Sequence, residues 1–144
     1  MRRDENGFTL IEVLVVILII GILAVIAIPA FLGQRARSQD SAAKTFARDA
    51  QTAIETHFHD NQTYVGATTA VLLNIEPSLA TKPNGPTLAA PATLSATGYV
   101  LTVTSKTTNT FRITKVPSGT TLGRSNRTCT RPLKRGGCPA TLVW

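Results

Sequence analysis

Glu12 is the only ionisable side chain in the apolar stretch from Phe8 to Leu32. A carboxylate inside an apolar helix costs on the order of 2.5–3.5 kcal/mol on membrane-insertion scales, so it requires a cation at the same depth. Cleavage of the chain after Gly7 would create one, because the new α-amino group of Phe8 would lie about one helical turn from Glu12. A neighbouring copy displaced along the helix axis would set its amine against this carboxylate. These residues therefore predict self-assembly.

The stretch around Glu12 predicts a membrane-spanning helix. No residue from Val13 to Leu32 is charged, and at 1.5 Å per residue this run reaches roughly 30 Å, the thickness of a bilayer's hydrocarbon core. A helix is the single-segment structure that satisfies its own backbone polar groups in lipid. A removable secretory signal would have a shorter apolar core of roughly 7–15 residues. Pro29 lies inside the run and predicts a kink or a loosened turn.

The string Gly7–Val13 (GFTLIEV), with Pro29 further along, resembles the prepilin signature of type IV pilins and related pseudopilins. The resemblance implies that a prepilin peptidase cuts between Gly7 and Phe8 and that Phe8 becomes the N-methylated N-terminus. Glu12 is then the assembly carboxylate that neutralises this N-terminus. For Pro29 it implies a stretch that melts when the subunit packs into a filament, whereas proline is also ordinary in membrane helices.

The signature divides the chain into a leader peptide (1–7), a transmembrane and polymerisation helix (8–33) and an exported globular domain (34–144). Residues 34–60 predict an amphipathic continuation of the helix, with charged Arg48, Asp49 and Glu55 off the apolar face. That face comprises Ala43, Phe46, Ala47, Ala50, Ile54 and Phe58.

Residues 98–144 predict a β-sheet followed by a cysteine-bounded loop. Apolar and polar residues alternate over 99–104 and again over 110–114, which indicates an antiparallel hairpin. A third strand is expected near 120–129, and residues 66–97, interrupted by prolines, support no assignment. The expected fold class is α+β and pilin-like: a long N-terminal helix, half transmembrane and half amphipathic, packed on a small antiparallel sheet.

Cys129 and Cys138 leave two main alternatives open. In an oxidising compartment they would form a disulfide, which for a loop of about ten residues contributes roughly 2.7 kcal/mol in the chain-entropy model. Two free thiols are the alternative, and a zinc site would need two further ligands. His57 and His59, two residues apart, do not share a helix face, so no metal site is predicted. The pair also resembles the C-terminal disulfide-bounded loop of many pilins.

The net charge is +7, and it is unevenly distributed because no acidic residue follows Glu76. The basic C-terminal region predicts non-specific attraction to DNA phosphates or to another anionic surface, or pairing with acidic residues of a neighbouring subunit. Its basic residues after 120 are Arg124, Arg127, Arg131, Lys134 and Arg135. The chain has no phosphate-binding glycine motif, nucleophile elbow or zinc-protease motif. We therefore expect a structural protein with no enzymatic activity and no cofactor.

The resemblance implies a structural subunit of a type IV pilus that serves adhesion, twitching motility or DNA uptake. A pseudopilin of a type II secretion system is the alternative, and a membrane-anchored extracytoplasmic domain of other function is a further one. The expected partners are copies of the chain, other pilin subunits, the prepilin peptidase and the inner membrane.

The chain is expected first as a single-pass precursor with its N-terminus in the cytoplasm, and then in an extracellular filament. Arg2 and Arg3 favour this orientation, whereas Arg35 and Arg37 oppose it. The orientation therefore depends on the resemblance and on the paired cysteines.

Overall fold

A computed structural model describes residues 8–116, 125–130 and 136–144. In chain order the elements are α1 (Leu10–Asn61), α2 (Thr69–Ile75), a 3-10 helix (Pro77–Leu79), β1 (Thr87–Leu88), β2 (Tyr99–Thr104), β3 (Thr110–Lys115) and β4 (Ser125–Thr130). The chain divides into two compact units at the boundary between Gln34 and Arg35.

The first unit is the N-terminal part of α1, which is apolar on all sides. Its most apolar window has a mean hydropathy of 3.3 with none of its residues buried, so by length and composition it is suited to cross a membrane. Such a helix needs lipid or protein around it, because no polar face is left to meet water. α1 continues as a single helix through Pro29, so the loosened turn expected there stays a prediction.

The second unit contains the rest of α1, whose small side chains form one wall of the core. Ala43, Ala47, Ala50 and Ile54 are fully buried, and they belong to one apolar cluster with the sheet's inward-facing side chains. Those sheet side chains are Tyr99, Leu101, Val103, Phe111 and Ile113. Alanine at three- and four-residue spacing brings the helix close to the sheet. The α+β pilin-like fold class is thereby confirmed.

The sheet has four antiparallel strands in the order β1-β2-β3-β4. The predicted hairpin is confirmed as β2 and β3, with Val103 opposite Phe111. The third predicted strand is present as β4, which begins at Ser125, and residues 117–124 lie outside the described part of the chain. The sheet also starts earlier than residue 98, because β1 pairs with β2 through Thr87 and Leu88.

Residues 66–97, which the sequence left unassigned, are folded around short capped elements. Thr68 caps α2 through its hydroxyl, which accepts from the backbone N–H of Val71 at 3.4 Å, and Leu72 of α2 is fully buried. Glu76 caps the 3-10 helix in the same way, accepting from Ser78 N–H at 3.2 Å. Each cap satisfies a backbone donor that a short helix would otherwise leave unpaired.

Candidate functional site

The start of α1 positions Glu12 through a reciprocal hydrogen-bonding arrangement with Thr9. The Thr9 hydroxyl and backbone N–H donate to Glu12 Oε2 at 2.7 and 3.0 Å, and the Glu12 N–H donates to Thr9 Oγ1 at 3.4 Å. This is a capping box, in which residues three apart satisfy each other's exposed donors. The Thr-x-x-Glu spacing was readable in the sequence, but our sequence interpretation of Glu12 considered only assembly.

Phe8 lies just before this box and its side chain is 81% exposed. Gly7, the other residue of the predicted cleavage site, lies outside the described residues, as does the rest of the leader. What the structure gives is a carboxylate at the beginning of an exposed apolar helix.

A second site lies in the folded unit, where three cations surround one aromatic ring. Arg127 Cζ, Arg48 Cζ and Lys44 Nζ lie 5.7, 5.8 and 6.0 Å from the centroid of the Trp144 ring. We call these four residues the Trp144 cluster. Lys44 and Arg48 stand one turn apart on α1, and Arg127 comes from β4.

Two contacts fix the Trp144 ring. Its indole N–H donates to the Thr128 carbonyl at 2.8 Å, and its ring meets Phe111 edge to face, with centroids 5.6 Å apart. The ring's π-face attracts cations, which partly offsets their mutual repulsion. Three converging positive charges still favour an anion, and guanidinium and ammonium groups are the usual donors to phosphate.

A hydrogen bond to Gln51 on α1 holds Arg127 in the Trp144 cluster. Arg127 Nη2 donates to Gln51 Oε1 at 3.2 Å, and Gln51 Nε2 in turn donates to Ser125 Oγ at 3.2 Å. Of the basic C-terminal residues named from the sequence, Arg127 is the one within the described residues. Arg124, Arg131, Lys134 and Arg135 lie outside them. Our sequence reasoning missed Lys44, Arg48 and Trp144, although the first two are four apart on one helix face.

Cys129 and Cys138 are joined by a disulfide with their Cα atoms 5.9 Å apart, and both are 4% exposed. The free-thiol and zinc alternatives therefore do not apply to this pair. The bond ties the end of β4 to the segment that leads to Trp144.

Next to the disulfide, Asp40 on α1 is fully buried. It accepts hydrogen bonds from the Thr107 hydroxyl, from Asn109 Nδ2 at 2.7 Å and from the Gly137 N–H at 2.6 Å. Burial alone would raise the pKa of the Asp40 carboxyl, but hydrogen bonds led by that of Thr107 outweigh it and hold the pKa below its usual value.

At the other end of the helix–sheet contact, Glu55 was predicted to point away from the apolar face, and this was wrong. Lys115 Nζ on β3 donates to both Glu55 oxygens at 2.9 Å, and the hydroxyls of Tyr64 and Tyr99 donate at 2.7 and 2.8 Å. The helical pattern was misread because a long polar side chain at the edge of the stripe can reach across to the sheet.

These contacts set the ionisation of the Glu55 group. Burial opposes the charge on Glu55, but its hydrogen bonds, the one from Lys115 first, lower its pKa. Burial also opposes the charge on Lys115, whereas Tyr64 and Glu55 raise the Lys115 pKa. Burial raises the pKa of Tyr99 far above its usual value. The pair is therefore ionised across the neutral range and fastens β3 to α1.

The fold combines an apolar N-terminal helical segment with a unit in which the later part of α1 packs on a small antiparallel sheet, and a disulfide holds strand β4 of that sheet. This combination defines the pilin-like class of subunit. Residues 2–28 match the family model described as "Prokaryotic N-terminal methylation motif". Residues 29–132 match the model described as "Type IV minor pilin ComP, DNA uptake sequence receptor". The second match covers well over half of the chain, which therefore belongs to this family of type IV pilins.

Individual relatives are pilins and fimbrial proteins. The type IV major fimbrial protein FimA of Dichelobacter nodosus is 44% identical over 77 residues, covering 51% of this chain and 49% of the relative. The type IV major pilin protein PilA of Myxococcus xanthus is 50% identical over 60 residues, covering 42% and 27%. The type IV wide pilus major component PilA4 of Thermus thermophilus is 40% identical over 70 residues, covering 49% and 53%.

The chain thus spans about half, or less, of the length of these curated relatives. No solved structure gives a significant match to it.

Proposed function

We propose that this chain is a structural subunit of a type IV pilus, assembled through the apolar part of α1 after cleavage between Gly7 and Phe8. One observation carries the proposal: side chains on every side of this helix are exposed, and Glu12 is the single ionisable group among them. In a filament, neighbouring helices would cover those side chains. Relative to exposure in water, the burial of each large apolar side chain contributes roughly 1.5–3 kcal/mol, so the helix has to pass from the membrane directly into contact with neighbouring helices.

In this scheme Glu12 supplies register. A carboxylate surrounded by apolar helices is costly unless it meets a cation, and the methylated amine of Phe8 on an adjacent subunit is such a cation. Only axial displacements that bring amine and carboxylate together avoid the cost. Pro29 has no N–H to donate within the helix, so this is where we propose the helix loosens during packing.

Two observations favour a pilus over a secretion pseudopilus or a tethered domain. The curated relatives that match are named as pilus and fimbrial components. A tether would gain nothing from a carboxylate inside its apolar segment. We propose that the precursor crosses the inner membrane with its N-terminus inside, so that Cys129 and Cys138 meet an oxidising compartment.

The proposal is tested by shearing filaments from cells and weighing their subunit by mass spectrometry. The expected mass begins at a methylated Phe8. Filaments built from a chain that still begins at Met1 would overturn the processing step, and a processed chain that never leaves the membrane would overturn assembly.

We further propose that the Trp144 cluster binds DNA through its phosphates. The supporting observation is the convergence of Lys44, Arg48 and Arg127 on one ring, in a chain whose family model is described as a DNA uptake sequence receptor. The test is a salt titration of duplex DNA binding to the full chain. Affinity that falls as ionic strength rises supports phosphate contact, and affinity that ignores salt overturns it.

A further inference from the structure

We infer that Asp40 is the positioning residue of the Trp144 cluster, because it fixes Gly137, and Gly137 in turn holds the Lys44 ammonium beside the aromatic rings. The inference concerns how the cluster is built, and its use in DNA binding rests on the function proposed above.

The first step is the contact between Asp40 and Gly137. Asp40 is fully buried and accepts from the Gly137 N–H at 2.6 Å, across 97 positions of sequence. Its Oδ2 also accepts from Asn109 Nδ2, and its Oδ1 accepts from the Thr107 hydroxyl. A buried carboxylate with this many donors is a rigid anchor, because losing a partner would leave a buried polar group unpaired.

The second step is the contact between Gly137 and Lys44. The Gly137 carbonyl accepts from Lys44 Nζ at 2.7 Å, so the two backbone polar groups of one residue join the anchor to the cation. The Lys44 ammonium then lies 5.6 Å from the Phe111 ring centroid and 6.0 Å from that of Trp144. A lysine side chain has a flexible four-carbon stem. Without the Gly137 carbonyl as its acceptor, the stem would sample many rotamers and the ammonium would have no fixed position.

The backbone around Gly137 is shaped to fit Asp40. Gly136 has φ +99, and a Cβ added there would overlap Asp40 Oδ2 and lie 2.8 Å from Asn109 Nδ2. A Cβ at Gly137 would lie 3.2 Å from the Asp40 Cβ. Two successive glycines thus allow the end of the cysteine-bounded loop, just before Cys138, to approach the carboxylate closely.

The turn between β2 and β3 gives independent support. Thr108 has φ 68, a conformation that a β-branched side chain adopts only when its surroundings impose it. Its two neighbours, Thr107 and Asn109, both donate to Asp40. The same carboxylate therefore shapes this turn and the Gly136–Gly137 segment.

The experiment follows the Lys44 ε-methylene by NMR in the full chain in detergent micelles. Ring currents of Phe111 and Trp144 shift this signal in the wild type. In Asp40→Ala the shift should collapse to the random-coil position, and in Asp40→Asn it should be largely retained. The side-chain oxygen of the introduced asparagine would still accept from the Gly137 N–H and from Asn109 Nδ2. The Thr107 hydroxyl would rotate to accept a hydrogen bond from the side-chain N–H of the introduced asparagine. Lys115, which lies over Phe58 and Tyr64, is the internal control and should not move.

An unchanged Lys44 shift in Asp40→Ala would overturn the inference, and so would equal loss in the alanine and asparagine variants. If Asp40→Ala does not fold, Gly136→Ala provides a second route, since its methyl group would displace the carboxylate. Gly66→Ala is its matched control: Gly66 also has positive φ, at +89, but an added Cβ there would meet nothing within 4 Å. Loss of the Lys44 shift in Gly136→Ala alone supports the inference, and its retention in both variants overturns it.

A DNA-binding measurement on the wild type and Asp40→Ala distinguishes the positioning role of Asp40 from the proposed DNA binding of the Trp144 cluster. If the wild type binds, Asp40→Ala should lower the slope of log affinity against log salt by about one, as expected for one lost phosphate contact, and an unchanged slope would count against Asp40. If the wild type does not bind DNA at all, the proposed DNA function fails, and the NMR shifts alone decide the role of Asp40.

Discussion

The Glu12 carboxylate is hydrogen-bonded to Thr9 in the isolated chain, through the Thr9 hydroxyl at 2.7 Å and its N–H at 3.0 Å. Glu12 therefore has two roles to be told apart: it caps its own helix, and it is proposed to meet the amine of a neighbouring Phe8. Glutamine also serves at the third position of a capping box, but it carries no charge. The two roles are thus separable by substitution.

We expect Glu12→Gln to be processed and inserted normally but to form no filaments, because it keeps the cap and removes the charge. Thr9→Ala is the matched variant: it weakens the helix start by about 1 kcal/mol and keeps the carboxylate, so filaments should still form. Sheared filaments are counted by electron microscopy and the subunit mass is measured in both variants. Normal filaments from Glu12→Gln would reduce Glu12 to a helix cap.

How far the fold could be predicted depends on how local each signal is. The β2–β3 hairpin was predictable because alternation and β-branched residues report directly on strands. β1 was not, because a two-residue strand exists only through its pairing with Val103 and Thr104. The alanine face of α1 was readable from its spacing, whereas Glu55 was misplaced because its partner Lys115 comes from a distant strand.

The candidate sites, too, were predictable only where their signal is local in sequence. Glu12 stood out because a lone charge in an apolar run needs an explanation. Asp40 looked like an ordinary charged helix residue, since its donors lie between 67 and 97 positions away in sequence. Trp144 belongs to no periodic pattern, and only the folding of the segment after Cys138 places it beside Lys44 and Arg48.

Substitutions in the Trp144 cluster should change the salt dependence of DNA binding in proportion to the charge removed. We expect Arg48→Gln and Arg127→Gln each to lower the slope of log affinity against log salt by about one, and the double variant by about two. Arg112→Gln is the charge-matched control, because Arg112 is exposed on β3 between two buried residues and belongs to the opposite face. Equal losses in all three single variants would show diffuse attraction with no defined site.

Acid should destabilise the folded unit through Asp40 and Glu55. The pKa of each carboxyl is lowered by folding, so the unfolded chain binds protons more readily and stability falls as pH drops below about 4. At pH 7, Asp40→Asn should lower the free energy of unfolding by about 1–3 kcal/mol, since hydrogen bonds to a charged carboxylate are replaced by weaker bonds to a neutral amide. At pH 3 the difference from wild type should shrink.

Urea unfolding of the full chain in micelles, followed by tryptophan fluorescence at both pH values, measures this difference. Asp60→Asn is the control, because that side chain is 65% exposed and its loss should change neither curve. A wild type equally stable at pH 7 and pH 3 would contradict the prediction.

The stability of the folded unit at high pH should depend on Lys115. Folding raises the pKa of this ammonium, so its contribution is complete at neutral pH and is lost as pH rises above about 10.4 through the folded-state value. Lys115→Met keeps the aliphatic stem and removes the charge, so it should unfold at lower urea concentration than the wild type at pH 8, and the difference should shrink as the pH rises through the folded-state pKa of Lys115. Arg112→Met, on an exposed position of the same strand, should show no such convergence with the wild type.

Removing the disulfide should act mainly on the unfolded chain. In the loop-entropy model, Cys129→Ser with Cys138→Ser lowers the free energy of unfolding by about 2.7 kcal/mol. Without the disulfide, the position of Gly137 should depend more strongly on its hydrogen bond to Asp40. Combining the double serine variant with Asp40→Ala, which removes the acceptor for Gly137, should therefore cost more than the sum of the separate changes, because two anchors of one segment are removed together. Urea unfolding with and without a dithiol reductant measures the free energy of unfolding of the wild type, of each variant and of their combination. The reductant should not change the values for the serine variants. Strict additivity would show that the disulfide and Asp40 hold the chain independently.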